Sequence, residues 1–109
     1  MNSIKVINYC TRANKEPFAD WLDEQDNKTQ IIILKRIAKI RTGYLGDCKQ
    51  LENGEGVWEL RIHFGPGYRI YFGKTGKTIV ILLLGGDKGS QNRDIIKAKR
   101  YWSNYKESL

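Results

Sequence analysis

Arg61, His63 and Arg69 lie within one short stretch and are the side chains of this sequence best suited to chemistry on a phosphate. Guanidinium forks hold phosphate oxygens bidentately, and histidine is the side-chain type whose ordinary pKa allows it to take and give a proton near neutrality. Metal chemistry has less to work with. Cys10 and Cys48 have no CxxC spacing, only His63 could join them, and a zinc site needs four such ligands. No cluster of carboxylates suits a pair of magnesium ions, whereas convergent cations can stabilise a phosphorane dianion directly. No metal or other cofactor is therefore expected, and both cysteines read as reduced thiols, one of them packed in the core.

A β-hairpin must position these residues. In residues 57–64 the apolar side chains Trp58, Leu60, Ile62 and Phe64 alternate with Glu59, Arg61 and His63; in 68–72, Tyr68, Ile70 and Phe72 alternate with Arg69 and Tyr71. Residues opposite each other across a ladder share a face. A two-residue loop would pair Ile62 with Arg69 and bury a guanidinium among apolar neighbours. A three-residue loop, Gly65-Pro66-Gly67, instead pairs Phe64 with Tyr68, Ile62 with Ile70 and Leu60 with Phe72, with His63 opposite Arg69 and Arg61 opposite Tyr71. Gly67 supplies the left-handed residue such a loop needs. The polar face then carries Glu59, Arg61, His63, Arg69 and Tyr71. As plain surface, it is neutralised by Glu59 and a neighbouring carboxylate; as a site, it binds phosphate while Tyr71 stacks on a base. Lying outside the core, Arg69 should be removable without loss of folding.

The remaining elements follow from periodicity. Residues 4–9 read as a short strand. Asn14 offers a cap, Pro17 fits the first turn, and Phe18, Trp21 and Leu22 fall on one side of a helix ending near Gln25. Asn27 and Gln30 resemble a capping box before a second helix with Ile33, Ile37, Ile40 and Tyr44 on one stripe and Gly43 as its stop. Strands at 48–51, 57–64, 68–72 and 78–84 form a consecutive antiparallel meander, the last apolar without alternation, as a strand covered on both faces would be. Gly85-Gly86 reads as a strand-to-helix turn or as part of the site. Ser90 caps a final helix bearing Ile95, Ala98, Trp102 and Tyr105. If the hairpin lies alongside, Lys88 and free amides of that helix's first turn add positive potential there. The order is α+β: N-terminal strand, two helices, antiparallel meander, C-terminal helix, in one domain over residues 1–109.

Nineteen basic residues against twelve acidic ones give a net charge of +7, which concerns partners more than fold. Nucleic acid, an anionic membrane and an acidic protein all suit that charge. Its segregation favours a binding surface: in 35–49 the basic residues Lys35, Arg36, Lys39, Arg41 and Lys49 face only Asp47, while every charge from 16 to 26 is acidic. Lys35 and Lys39 by themselves are also what a solvated helix face looks like. The longest apolar run, 79–84, is too short to cross a bilayer, and the N-terminus has no signal-like pattern, so a cytoplasmic protein without membrane contact is expected.

The strings Glu59-Leu60-Arg61, Gly65-Pro66-Gly67-Tyr68-Arg69-Ile70-Tyr71 and Gly85-Gly86-Asp87-Lys88, with Gln91, Asp94, Ile95 and Ala98, and Gly43-Tyr44-Leu45-Gly46-Asp47 upstream, resemble the phage-type addiction-module killer proteins. These form a HigB-like branch of the RelE/ParE toxin superfamily. The resemblance implies a RelE-like fold and the toxin of a type II toxin–antitoxin module, partnered by a helix-turn-helix antitoxin. HigB-like and RelE-like members cleave messenger RNA, usually on the ribosome, by metal-independent attack of the ribose 2′-hydroxyl on the adjacent phosphate. By position Arg69 would hold the scissile phosphate, Arg61 would sit near the 2′-hydroxyl and Lys88 would open the last helix, with His63 as a candidate for proton transfer. Lys49, Tyr68, Tyr71, Gln91 and Arg93 are expected to contact the RNA around them. RelE's lysine-rich strand is replaced here by one with Glu59, which leaves the general base and acid open. ParE relatives poison DNA gyrase on the same fold, so a non-nucleolytic toxin or a nucleic-acid-binding module is the alternative.

Overall fold

The computed structural model describes residues 3–53 and 55–109. Strand β1 (Lys5–Asn8) is followed by helices α1 (Pro17–Asp23) and α2 (Asn27–Arg41). Strands β2 (Cys48–Gln50), β3 (Val57–Ile62), β4 (Tyr68–Thr75) and β5 (Ile79–Asp87) come next, then a 3₁₀ turn (Lys88–Ser90) that runs into α3 (Gln91–Glu107). The sheet order is β1-β5-β4-β3-β2, antiparallel throughout except that β1 lies parallel to β5. The α+β order expected from periodicity is the observed one.

Two cores form because both faces of the sheet are covered. On one face Ile33, Ile37 and Ile40 of α2 and Phe18 of α1 meet Leu60, Ile62, Ile70, Phe72, Val80 and Leu82. On the other, Ala98 and Trp102 of α3 pack on Val57, Tyr71, Ile81 and Leu83. The unalternating apolar run of β5 serves both. The odd-numbered face of the hairpin, expected to be open, thus lies partly under α3.

Local chemistry sets the helix ends, in two places differently from expectation. Asp26, one residue before Asn27, is the cap of α2, its carboxylate accepting from the Thr29 amide at 2.8 Å, while Gln30 turns back to the Gln25 carbonyl. A carboxylate in that position binds the first-turn amides more strongly than a neutral amide side chain does. Asn14 does not cap α1. It sits in a turn at φ 65°, and the helix starts at Pro17 after Glu16 with no side-chain cap. Gly43, at φ 96°, ends α2 as expected. At the other end of the fold, Asp87 caps the 3₁₀ turn in a reciprocal capping box with Ser90. Ser90 therefore does not cap α3 through its side chain; its hydroxyl donates to Asp94.

The hairpin keeps the expected faces but shifts by two residues. Trp58 pairs with Phe72, Leu60 with Ile70, Ile62 with Tyr68 and Arg61 with Arg69. Parity cannot distinguish registers that differ by two; the loop decides. Residues 63–67 form a wider turn in which Gly65 (φ 56°) and Gly67 (φ 83°) both take the left-handed conformation and the Gly67 amide donates to the Phe64 carbonyl at 3.0 Å. Gly85 and Gly86 lie inside β5 instead of in a turn, each at a close approach: a β-carbon at Gly85 would collide with the Trp21 ring, and one at Gly86 with the Asp94 carboxylate.

Candidate functional site

The new register assembles the site in one row across the sheet. The Arg61 amide donates to the Asp47 carbonyl at 3.0 Å, Arg61 faces Arg69 directly, and Arg69 faces Gly86. The arginine side chains therefore leave one face from adjacent strands, with β-carbons roughly 5 Å apart as cross-strand partners are. Next to this row Lys49 pairs with Glu59, and Glu59 with Tyr71.

Each arginine has a carboxylate, in different surroundings. Glu59 is 1% exposed and lies 3.6 Å from Arg69 Nε; the Gln91 amide donates to the same carboxylate oxygen at 3.0 Å. Arg69 itself is only 13% exposed. Arg61 is 38% exposed and reaches Asp47 at 3.4 Å, and the other Asp47 oxygen is 2.6 Å from His63 Nε2. This hydrogen bond, followed by the Arg61 charge, holds the Asp47 carboxyl below the usual carboxylate range. The Nε atoms of both arginines are buried without a hydrogen-bond partner among the described residues.

A groove of about 460 Å³ opens at the hairpin tip, lined by Arg61, His63, Tyr68, Arg69 and Lys88 with the glycine-proline-glycine turn. Lys88 is brought there because its amide donates to the Gly67 carbonyl at 3.0 Å, which pins the start of the last helix to the hairpin. That bond and the Asp87 bond to the Ser90 amide use amides of the 3₁₀ turn that leads into α3. Counting Arg61, Arg69 and Lys88 against Asp47 and Glu59, the cluster carries one net positive charge (3 − 2 = 1), with His63 able to add another. Such a cleft can hold a phosphodiester and place an imidazole beside it.

Four of the expected residues stand elsewhere. Lys49 is exposed on the edge strand, outside the groove lining. Gln91 spends its amide on Glu59, and Arg93 lines a separate cleft between α1 and α3. Tyr71 is 0% exposed, so its ring cannot stack on a base. Burial, followed by the Glu59 and Asp94 charges, pushes its phenol well above the usual tyrosine value, and the hydroxyl has no partner among the described residues. Tyr71→Phe is accordingly expected to leave the urea midpoint unchanged or raise stability by up to about 1 kcal/mol, since a buried unsatisfied hydroxyl costs more than its absence. Asp47 is a site residue that the sequence pattern does not single out. Its only signal was its place as the lone acid in a basic stretch.

Residues 20–102 match the family described as phage derived protein Gp49-like (DUF891). The chain belongs to that family. The Gp49-like match spans every residue of the groove, and its phage-derived, RelE/toxin-like character agrees with the superfamily and the fold expected from the sequence motifs. This Gp49-like protein is also similar to an uncharacterized protein of Haemophilus influenzae, 41% identical over 83 residues, covering 75% of this chain and 82% of that one. Among the described residues, no helix is long and apolar enough to cross a membrane.

Proposed function

We propose that this Gp49-like protein is the toxin of a type II toxin–antitoxin pair and acts as a metal-independent messenger RNA endonuclease of the HigB-like kind, with the ribosome presenting the message. The observation that carries this reading is the cross-strand Arg61–Arg69 pair at a groove that also holds His63 and Lys88. In this scheme Arg69 grips the scissile phosphate and Arg61 lies near the attacking 2′-oxygen. The 2′-hydroxyl loses its proton to His63, the 2′-oxygen bonds to phosphorus, and the bond to the 5′-oxygen breaks. A cyclic phosphate remains on one fragment, and the departing 5′-oxygen is protonated on the Lys88 side of the groove. The arginines match the charge that builds on the phosphoryl oxygens, the largest contribution such a site makes. A helix-turn-helix antitoxin is the partner proposed to hold the protein inactive.

Primer extension on a message recovered after induction, and on purified RNA with and without ribosomes, tests this. Discrete cuts that require ribosomes support it. Intact message during growth arrest would instead support a binding-only toxin, a gyrase poison or another nucleic-acid-binding module. The carboxylate partner on each arginine is what favours that second reading.

A further inference from the structure

We infer that Asp47 is a positioning residue for His63: its carboxylate accepts a hydrogen bond from Nε2–H and so leaves Nδ1 as the unprotonated nitrogen available to a substrate hydroxyl. The inference rests on the cleavage reading of the groove for its use, but its geometry stands independently. His63 is an exposed side chain just beyond the end of β3, where an imidazole would otherwise sample many orientations. Asp47 Oδ2 holds it at 2.6 Å, and Asp47 is itself anchored from two sides, through its carbonyl to the Arg61 amide and through Oδ1 to the Arg61 guanidinium.

The tautomer follows from charge. An ionised carboxylate only accepts hydrogen bonds, so the nitrogen facing it carries the proton and the other nitrogen of the neutral ring keeps its lone pair. The low carboxyl pKa of Asp47 agrees, because it keeps the acceptor ionised. The charged and titratable groups that share the groove with the imidazole are Arg61, Tyr68, Arg69 and Lys88, with Asp47 bonded to the ring itself. Of these Asp47 is the one anionic acceptor, and it lies within hydrogen-bond distance of Nε2. When Nδ1 takes the 2′-hydroxyl proton, the imidazolium that forms lies against the carboxylate, which stabilises it as the phosphorane charge is met by the arginines.

His63 is the chain's one histidine, so long-range proton–nitrogen NMR reads a single ring. With the ring neutral, the folded protein should show the Nε2-protonated tautomer, and Asp47→Ala should shift it toward a mixture; Arg61→Gln should leave it in place. A wild-type ring protonated on Nδ1, or a tautomer indifferent to Asp47→Ala, overturns the inference. In cleavage, Asp47→Ala should lower kcat by about 10²-fold, the low end of what general acid–base catalysis contributes. KM for RNA should stay level or fall, because a negative charge beside the groove's Arg61 and His63 is removed. A raised KM with unchanged kcat would mean that Asp47 serves only to hold Arg61, which also overturns it. If the wild type cuts no RNA under any condition, the cleavage reading fails, while the tautomer measurement separately decides whether Asp47 sets the ring.

Discussion

Arg61→Ala is expected to slow RNA cleavage by about 10²- to 10³-fold while leaving the urea unfolding midpoint close to wild type. The rate loss is the usual effect of deleting one preorganised donor aimed at developing negative charge. Stability should be nearly untouched because the partner of Arg61 is the exposed Asp47, held at 3.4 Å where solvent screens the pair. The strand does not depend on the side chain either, since the Arg61 amide keeps its bond to the Asp47 carbonyl in the variant. Single-turnover cleavage of a message on ribosomes, beside a denaturation curve, checks both halves. A variant that cuts at close to the wild-type rate would remove Arg61 from the reacting phosphate.

Arg61 and Arg69 look equivalent in the sequence, and the reason they are not lies in what a one-dimensional pattern omits. Alternation in β3 and β4 reported correctly which residues share a face, since side chains alternate with a period of two. It could not report the register, and the shift by two places Arg61 opposite Arg69 instead of opposite Tyr71. Alternation also presented Glu59 and Tyr71 as solvent-facing, although both are buried beneath α3. A clue was available. The unalternating apolar run of β5 calls for cover on both faces, and a helix covering its second face also covers part of the neighbouring strand β4. The helical stripe of Ile33, Ile37 and Ile40 was legible because three apolar residues at helical spacing permit one packing side. Asp47 was not, because β2 spans only three residues and has no periodicity from which to infer its pairing. The helix caps differ for local reasons: Asp26 accepts the Thr29 amide ahead of Asn27, and Ser90 spends its hydroxyl on Asp94 and the Asp87 carbonyl while its own amide donates to the Asp87 carboxylate.

Arg69→Ala is expected to lose cleavage by about 10³-fold or more and, unlike Arg61→Ala, to destabilise the fold by about 3–5 kcal/mol, the usual cost of removing one member of a buried ion pair. Glu59 is the cause. At 1% exposure it cannot recover water when the guanidinium leaves, and only the Gln91 amide remains on its carboxylate. The expectation that Arg69 could be removed without consequence for folding assumed a face outside the core, which α3 closes. Loss of activity in this variant alone is therefore ambiguous, but a second substitution resolves it. Glu59→Gln with Arg69→Ala removes both charges and lets the new side-chain amide pair with Gln91, so most of the lost stability should return. Cleavage should not return with it, because no guanidinium faces the phosphate. Recovery of both in the double variant would assign Arg69 to the structure, neutralising a buried carboxylate, and leave Arg61 and Lys88 to hold the RNA. Recovery of the urea midpoint alone would separate the two duties of one side chain: the Nε pairing with buried Glu59, and the side chain's place in the groove lining.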